Sequence, residues 1–402
     1  MSLIKGASTI GGASVISQLI GAFTILLMSY RFGMSDVGNY ALTFSIVMIG
    51  IQITLYGSHL LLPKVDQQDI GKAVVFCLLQ SWGISAIYIY IVSYFFSLQF
   101  FSIYVLTASY SMMIISEYVF LRNQNFSQLA IQRISVTSVV FIALLVSWKV
   151  EYFYYIWAIV HLCLIGYWLY KCLDFSMFSK SDFLPTTQIQ FFIKHWNHLS
   201  RVGTAEVVAN ASLQLPTVLI NYWFSPLVAG YFAVVNRFCL SPVLILGQSV
   251  RNYTFSKWSE DFRNKVFNYA EFKQVRLFLI TIALITVAGI YFVYPWLTQH
   301  VLGEQWIQSV ETSRLMLPYV FAMLAFVPLT VIELIFGTPN YFLRIQCEQL
   351  VIVAFAFLIM PLIYKSYTVS LLAFTMLTAA RYLMIYISIN KHALVLRDEG
   401  IV

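Results

Sequence analysis

Two similar stretches of sequence decide the fold: SYRFGMSDVGNYA at 29–41 and NYWFSPLVAGYFA at 221–233. When the first is shifted onto the second, Tyr30 falls on Tyr222, and a phenylalanine, a glycine and an alanine are matched in the same way. The same shift places polar residues of the preceding segments on one another: Ser14 on Glu206 and Gln18 on Asn210. The chain is therefore predicted to contain an internal repeat, with one copy in each half.

The composition around these stretches excludes a water-soluble protein. Of the 402 residues, 60% are hydrophobic and 10% are charged, whereas soluble domains carry about 25% charged residues. So much apolar surface cannot be hidden in a water-soluble core, and lipid must be part of the solvent. The 5 cysteines are dispersed in or next to apolar runs; they are predicted to be small buried hydrophobes and not metal or redox groups.

Runs of mostly apolar residues divide the chain into candidate membrane spans, each of about 20 residues. Twelve are predicted, at about 8–30, 38–62, 73–97, 100–120, 132–148, 152–172, 202–224, 227–250, 275–298, 313–337, 347–364 and 367–389. The fold class is thus an all-α polytopic membrane protein, with about 12 transmembrane helices in two six-helix lobes around a central cavity. The predicted domains are an N-terminal lobe at 1–173, a cytoplasmic linker at 174–201 and a C-terminal lobe at 202–402.

Basic residues orient the spans, because cytoplasmic loops of membrane proteins are enriched in Lys and Arg. With the N-terminus inside, eighteen Lys and Arg residues lie in inner loops and ends, and only Arg31, Lys149, Arg314 and Lys365 lie outside. Both termini are therefore predicted to be cytoplasmic. The net charge of +7 reflects these inner loops, and no nucleic-acid partner is predicted.

Two longer polar segments fall on the cytoplasmic side, Asp174–Arg201 and Arg251–Arg276. The second mixes charged and aromatic residues, including Lys257, Trp258 and Phe262. It is interpreted either as a short amphipathic helix on the inner leaflet or as a solvated loop.

Polar residues form a stripe along the seventh predicted span. Residues three or four positions apart share one helix face, and the members of this stripe follow that spacing: Glu206, Asn210, Gln214, Thr217 and Asn221. The first span carries Gln18 in a weaker version, and the eighth carries Arg237, Ser241 and Gln248. Spans one, seven and eight are predicted to line a wet cavity, the alternative being hydrogen bonding between helices.

Arg237 and Arg381 lie near the middle of predicted spans, where an arginine is costly unless it is paired or hydrated. Since guanidinium binds phosphate through two parallel hydrogen bonds, both are predicted to bind a phosphorylated substrate. The alternative for each is satisfaction by backbone carbonyls at a helix break. Arg31 and Arg314, at outer helix ends, form either an outer basic rim for the same substrate or headgroup anchors.

Glu206 begins the polar stripe and is the candidate for coupling to H⁺ or Na⁺, because a desolvated carboxylate can exchange a proton near neutrality. An ion pair with Arg201 is the alternative. Glu117 is predicted to pair with Arg122, and His59 to be a structural or interfacial histidine.

Enzyme signatures are missing from the sequence. There is no glycine loop ending in GK[ST], no HExxH and no GxSxG. The prediction is therefore no catalytic residue, no cofactor and no metal.

A lysine followed by a Ser/Gly/Ala-rich first helix, then YRFGMSDVGNYALTFSI from Tyr30, resembles the polysaccharide flippases of the multidrug/oligosaccharidyl-lipid/polysaccharide exporter superfamily. FSPLVAGYFAVVNRF at 224–238 resembles the matching turn of their second half. Within that superfamily the sequence is most similar to Wzx-type O-antigen flippases. The resemblance implies carriage of an undecaprenyl-diphosphate-linked oligosaccharide from the cytoplasmic to the periplasmic leaflet of the bacterial inner membrane. It also implies Arg237 as a substrate-binding residue.

Three functions follow as hypotheses. The first is a lipid-linked oligosaccharide flippase that works by alternating access, is driven by an ion gradient and acts beside a polysaccharide polymerase and a chain-length regulator. The second is a drug or metabolite antiporter of the same superfamily, which favours acidic residues deep in the cavity. The third is a membrane glycosyltransferase or polymerase, for which only the outer segment Thr298–Arg314, with Glu304 and Glu311, offers carboxylates.

Overall fold

The computed structural model describes residues 3–96, 99–264, 266–336 and 341–398. Within these ranges the chain is helical, with short turns and no strand. The chain ends at 1–2 and 399–402, Lys265, and the predicted span ends at 97 and 337 lie outside the described residues.

Eight helices occupy the first part of the chain. They are α1 (Leu3–Arg31), α2 (Met34–Leu55), α3 (Ile70–Phe95), α4 (Phe100–Arg122), α5 (Phe126–Val146), α6 (Val150–Cys172), α7 (Pro185–His198) and α8 (Thr204–Trp223). Short 3₁₀ segments at Ser58–Leu61 and Gln67–Asp69 join α2 to α3, and a π-helical turn at Leu199–Gly203 joins α7 to α8.

Nine further helices follow, several of them pieces of one interrupted span. They are α9 (Pro226–Val235), α10 (Ser241–Arg263), α11 (Tyr269–Leu297), α12 (Ser309–Leu315), α13 (Leu317–Ala325), α14 (Val331–Ile335), α15 (Tyr341–Ala354), α16 (Met360–Ile363) and α17 (Tyr367–Asp398). π-helical turns at Asn236–Leu240 and Phe355–Ile359 join α9 to α10 and α15 to α16.

The predicted fold class is confirmed: the protein is an all-α polytopic membrane protein with about twelve spans in two lobes. Eleven helical segments of the described residues are long and apolar enough to cross a membrane. The remaining predicted span, 202–224, corresponds to α8, a continuous helix of 20 residues. Its polar stripe makes α8 less apolar than the other spans.

Several predicted boundaries are wrong for identifiable reasons. The short run at 132–148 begins six residues earlier, at Phe126, where the Asn125 side chain accepts a hydrogen bond from the Gln128 amide and caps α5. Polar residues of its first turns hid this start. The second span ends at Leu55, and not before Pro63, because Tyr56 and Gly57 adopt left-handed conformations with φ of 42° and 75°.

Two prolines break the predicted span 313–337. Pro318 stands in the first turn of α13, and Pro328 in the 3₁₀ segment Val327–Thr330 that separates α13 from α14. Proline lacks a backbone donor and clashes with the preceding helical turn. One predicted span therefore appears as α12, α13 and α14.

The chain forms two compact units, Met1–Gln214 and Leu215–Val402. In the first, α1 packs on α5 and α4 packs on α3 and α6. Its core holds Phe153 and Trp157, both without solvent exposure. In the second, α13 packs on α11 and α17, around a core that includes Trp258 and Phe357.

Small polar residues fill the helix contacts of both units, while large apolar residues face outward. Thr107 and Thr378 are fully buried, whereas Ile285 and Phe292 of α11 remain 65% and 70% exposed. Thr107 donates to the Ile103 carbonyl at 2.8 Å, so its hydroxyl is satisfied within its own helix. This distribution is expected where hydrocarbon replaces water as the outer medium.

Gly203 is required where α8 begins. A Cβ on Gly203 would overlap the Tyr56 carbonyl oxygen. Gly57 lies equally close by, since a Cβ on Gly57 would be 3.0 Å from the Gly203 nitrogen. Beside this contact the Tyr56 hydroxyl lies 2.7 Å from the Thr204 hydroxyl. The end of α2 thus fixes the start of α8.

We expect Gly203→Ala to lower the free energy of unfolding by about 1–3 kcal/mol, the usual cost of overpacking a close contact. Thermal unfolding in detergent measures this change. Gly83→Ala is the matched control, because a Cβ there meets nothing within 4 Å; it should leave stability unchanged or raise it by up to about 1 kcal/mol. Equal effects of the two substitutions would contradict the contact.

Candidate functional site

The polar stripe of α8 exists as one face of a continuous helix. At about 100° per residue, its five members fall within an arc of about 80°: Glu206, Asn210, Gln214, Thr217 and Asn221. Thr217 is buried and the other four are half-buried. Pro216 stands inside the helix and leaves an intrahelical carbonyl without its usual donor.

Only part of this stripe is used for packing within the described residues. Ser45 of α2 donates to the Gln214 side-chain oxygen at 3.0 Å, so Gln214 joins α8 to the first unit. By contrast, the Asn210 side-chain oxygen and the Asn221 side-chain nitrogen are buried without a hydrogen-bond partner. A buried amide group with no partner is costly, which makes these two residues candidates for contact with water or substrate.

Glu206 lies in the first turn of α8, half-buried and close enough to Tyr118 of α4 to interact with it electrostatically. The alternative ion pair with Arg201 does not form, although both residues belong to the described part of the chain. Instead Tyr118 packs edge-on against His59, with ring centroids 4.8 Å apart. Glu206 therefore lies near the Tyr118 ring, toward the end of α4.

The predicted pair between Glu117 and Arg122 is wrong. Glu117 accepts from Arg133 of α5 at 3.1 Å. Arg122 turns back to the segment after α2 and donates to the Leu62 and Val65 carbonyls at 2.7 and 2.6 Å. The acceptors of Arg122 are backbone carbonyls distant in sequence, so residue spacing along one helix could not predict them.

Arg237 lies half-buried in the π-helical turn Asn236–Leu240. It stands 11 residues after Pro226, which places it about 17 Å along a helical segment, near the middle of a hydrocarbon core of about 30 Å. Single π turns inside helices are frequent at functional sites. The neighbouring side-chain oxygen of Asn236 is buried without a hydrogen-bond partner.

The π turn changes the predicted face of the eighth span. A π turn contains one residue more than an α turn, so regular three- and four-residue spacing does not carry across it. Ser241 donates to the Asn236 carbonyl at 3.1 Å, and Gln248, exposed on α10, donates to the Asn252 side-chain oxygen at 2.7 Å. Both side chains are engaged in their own helical segment.

Arg381 of α17 is paired. Its Nε donates to the Glu348 carboxylate of α15 at 2.6 Å, and a second guanidinium nitrogen reaches the same oxygen. Arg344 bonds to the other Glu348 oxygen at 2.9 Å. The cluster holds two arginines and one glutamate and keeps a net positive charge, but Arg381 is not the isolated cation that its position in the sequence suggests.

The two outer arginines are used locally. Arg31 donates to the Leu144 and Leu145 carbonyls at 2.5 and 2.9 Å, where α5 ends, so it neutralises the negative end of that helix. Arg314 lies over the Tyr291 ring, 5.2 Å from its centre. Gln18 is half-buried on α1.

Sequence reasoning missed two side-chain pairs of the second unit. Glu348 was missed although it lies at the start of the predicted span 347–364 and Arg344 precedes it by four residues, a spacing typical of helical ion pairs. His392 and Glu333 lie 3.0 Å apart between α17 and α14, and no sequence signal joins them. Among the described residues, no group of three His, Cys, Asp or Glu side chains could hold a metal ion.

No protein-family profile matches the chain, and no curated protein matches it by sequence. Solved structures do. The chain is similar to the MATE multidrug transporter DinF-BH in complex with R6G, with a TM-score of 0.66, 14% identity, and coverage of 99% of this chain and 96% of that one. It is equally similar to the lipid II flippase MurJ in an inward closed conformation, with a TM-score of 0.66, 14% identity, and coverage of 95% and 90%.

A transporter of the MOP superfamily from Pyrococcus furiosus, described as having a binding pocket of reversed polarity, gives a TM-score of 0.55 at 11% identity, covering 97% of this chain and 94% of that one. At such identities the similarity concerns the fold. The chain therefore has the fold of these solved transporters.

We expect Glu348→Gln to destabilise the second unit by about 1–3 kcal/mol, since it leaves two arginines facing each other without a counter-charge. The loss should fall below the ~3–5 kcal/mol of a fully buried pair, because the Arg381 and Glu348 side chains remain 23% and 30% exposed. Adding Arg381→Gln should restore part of the stability. Thermal unfolding tests this, with Glu304→Gln as the exposed control; no recovery in the double variant would contradict the pairing.

Proposed function

We propose that this protein is a flippase that moves an undecaprenyl-diphosphate-linked oligosaccharide from the cytoplasmic to the periplasmic leaflet of a bacterial inner membrane. The proposal combines the transporter fold with a positive charge inside a spanning segment. It assigns the O-antigen class of substrate on the sequence resemblance to Wzx-type flippases.

The observation that carries the proposal is Arg237, half-buried in a π turn at mid-membrane depth. An arginine at such a depth costs about 2.5–3.5 kcal/mol even on insertion scales. A charged residue with this energetic cost is expected where it has a function, such as substrate binding. Phosphate is the matching anion, because the planar guanidinium donates two parallel hydrogen bonds to it.

The α8 stripe supplies the polar surface that the oligosaccharide needs. Sugar hydroxyls both donate and accept hydrogen bonds, and the unpartnered amide atoms of Asn210 and Asn221 offer one acceptor and one donor. Gln18, Gln214, Thr217, Ser241 and Gln248 are retained as candidate lining residues with weaker support, since Gln214, Ser241 and Gln248 already have partners.

The other arginines receive revised roles. Arg381 shares its charge with Glu348, so it contributes to a positive region and not to direct phosphate binding. Arg31 and Arg314 are assigned to anchoring at the outer surface, because one caps α5 and the other packs on Tyr291. Arg237 is left as the principal candidate for the diphosphate.

The remaining assignments follow from charge and chemistry. Both termini are placed in the cytoplasm by the positive-inside rule. The six spans before the linker 174–201 and the six after it form the two lobes, which alternate access to the substrate. The flipped unit is then available to a polysaccharide polymerase and a chain-length regulator on the outer side.

Alanine at Arg237 should abolish surface polysaccharide, with a loss of at least about tenfold, the effect of removing one or two charge-assisted hydrogen bonds. Measure polysaccharide in cells that rely on the variant, beside the amount of membrane protein. Lys365→Ala, an exposed outer lysine of the same unit, is the control and should retain the product. Normal polysaccharide in Arg237→Ala would exclude this arginine from substrate binding.

Glu206 is proposed to couple transport to an ion. If it exchanges a proton, Glu206→Gln should transport at a rate that no longer responds to a pH gradient imposed on proteoliposomes, while the parent protein responds. Glu304→Gln, at an exposed position, should behave as the parent does. An unchanged gradient response in Glu206→Gln would assign coupling elsewhere.

A second function, export of a drug or metabolite, is favoured by one observation: the similarity to DinF-BH equals that to MurJ. The two functions differ in the product that accumulates when the protein is lost. Loss of a flippase traps lipid-linked repeat units on the cytoplasmic side, whereas loss of an antiporter leaves their distribution unchanged. The two functions can be distinguished by radiolabelling the lipid-linked units and measuring the leaflet in which they lie.

A further inference from the structure

The linker after α6 contains an amphipathic helix that the sequence did not indicate. For Arg251–Arg276 the sequence left open a short amphipathic helix or a solvated loop; there α10 continues to Arg263 and α11 begins at Tyr269. A separate helix of 14 residues, α7, lies in the segment Asp174–Arg201. A proline in its first turn, where no backbone donor is needed, starts it.

One face of α7 docks on the first turns of α3. The Phe191 ring lies 5.5 Å from that of Phe76, and Gln188 donates to the Asp182 and Lys72 carbonyls at 2.5 and 3.4 Å. His195, one turn further on, stacks near Phe191 at 4.6 Å. At about 100° per residue, Gln188, Phe191 and His195 span about 60°, which defines the docking face.

Ion pairs and a close backbone contact hold this arrangement. Asp69, just before α3, pairs with Lys72 at 2.8 Å and with Lys194 of α7 at 3.2 Å. At Gly71 a Cβ would lie 2.5 Å from the Met177 carbonyl oxygen, so the linker passes directly over the backbone of α3. The position of α7 on the first unit is thus fixed at several points.

A second face of α7 is apolar and uncovered. Ile189, Ile193 and Trp196 are 58%, 67% and 48% exposed, and they fall within an arc of about 60°. Phe192, between this face and the docking face, is exposed as well, although its ring lies 6.1 Å from that of Phe76. A water-facing helix has no reason to carry four large apolar side chains that are exposed.

The third face is polar. Thr186, Gln190, Lys194 and Asn197 are exposed and span about 80°. A helix with one docked face, one apolar face and one polar face matches an interfacial helix that also contacts protein. Trp196, at the edge of the apolar face, is the residue type enriched at headgroup level.

The depth of α7 agrees with the same assignment. Its contacts with α3 run from Asp69 to Phe76, about 10 Å along the helix axis, at the end where α3 enters its membrane span. Interfacial helices bury their apolar face by about 5–10 Å at the boundary of headgroups and acyl chains. Lys171, Lys180 and Arg201 lie before and after α7, and the cytoplasmic leaflet is negatively charged.

We propose that the face formed by Ile189, Phe192, Ile193 and Trp196 lies in the cytoplasmic leaflet of the membrane, at the boundary between anionic headgroups and acyl chains. The lipid surface covers the apolar side chains, and the basic residues of the linker face the headgroups. The linker is thereby tied to the membrane plane at the first turns of α3. This inference is independent of which substrate the protein carries.

Single cysteines at Ile193 and Gln190 test the proposal, in the full chain with its five native cysteines replaced. Each carries an environment-sensitive fluorophore, and the protein is reconstituted in phosphatidylethanolamine–phosphatidylglycerol vesicles with nitroxide-labelled lipid. Fluorescence at Ile193→Cys should shift to the blue and be quenched several-fold more than at Gln190→Cys, its matched control on the polar face. Equal, water-like emission at both positions would overturn the proposal.

Dilution of the protein in lipid distinguishes coverage of this face by lipid from coverage by a second copy of the chain. If protection at Ile193→Cys disappears as the vesicles are diluted with lipid, a second copy of the chain covers the face, and the lipid assignment is overturned. A further comparison avoids labelling: in vesicles, Ile193→Glu should lower the thermal midpoint by several degrees, whereas Gln190→Glu should leave it unchanged. Equal midpoints for Ile193→Glu and Gln190→Glu would count against the proposal.

Discussion

The hydrocarbon core contains no water to bond polar groups, so each polar group inside it must find a partner in the protein. The described residues follow this constraint in a consistent way. Serine and threonine hydroxyls bond to carbonyls one turn earlier, as Thr107 and Ser111 do. Arg122 satisfies carbonyls of the segment after α2, and Arg31 those at the end of α5. The architecture depends on these hydrogen bonds within the protein, which replace hydrogen bonds to water.

Where the constraint is not met, a function is the natural explanation. Asn210 and Asn221 retain buried amide atoms without partners on α8, the helix that carries the polar stripe. Arg237 keeps a formal charge at mid-membrane depth in a π turn. The same constraint explains α7, whose apolar face is left without a protein partner at the end of α3.

The sequence predicted the all-helical class, the number of spans and the α8 stripe, because each depends on composition and on periodicity along one helix. It failed where the outcome depended on contacts between helices. The docking face of α7 exists only against Phe76 of α3, and its apolar residues were too few to read as a span. The π turn at Asn236–Leu240 shifted the register of Ser241 and Gln248, which regular spacing could not anticipate.

By itself, the sequence determined that this chain lives in lipid and which helix carries a polar face, since hydrophobicity and helical period are local properties. Only the tertiary structure decided how each charge is satisfied. Arg381 meets Glu348 of another helix, Glu117 meets Arg133 and not Arg122, and Arg31 meets the end of α5. The physical reason is that the free energy of a charge in a membrane is set by the atoms within a few ångströms of it, and those atoms come from distant parts of the chain.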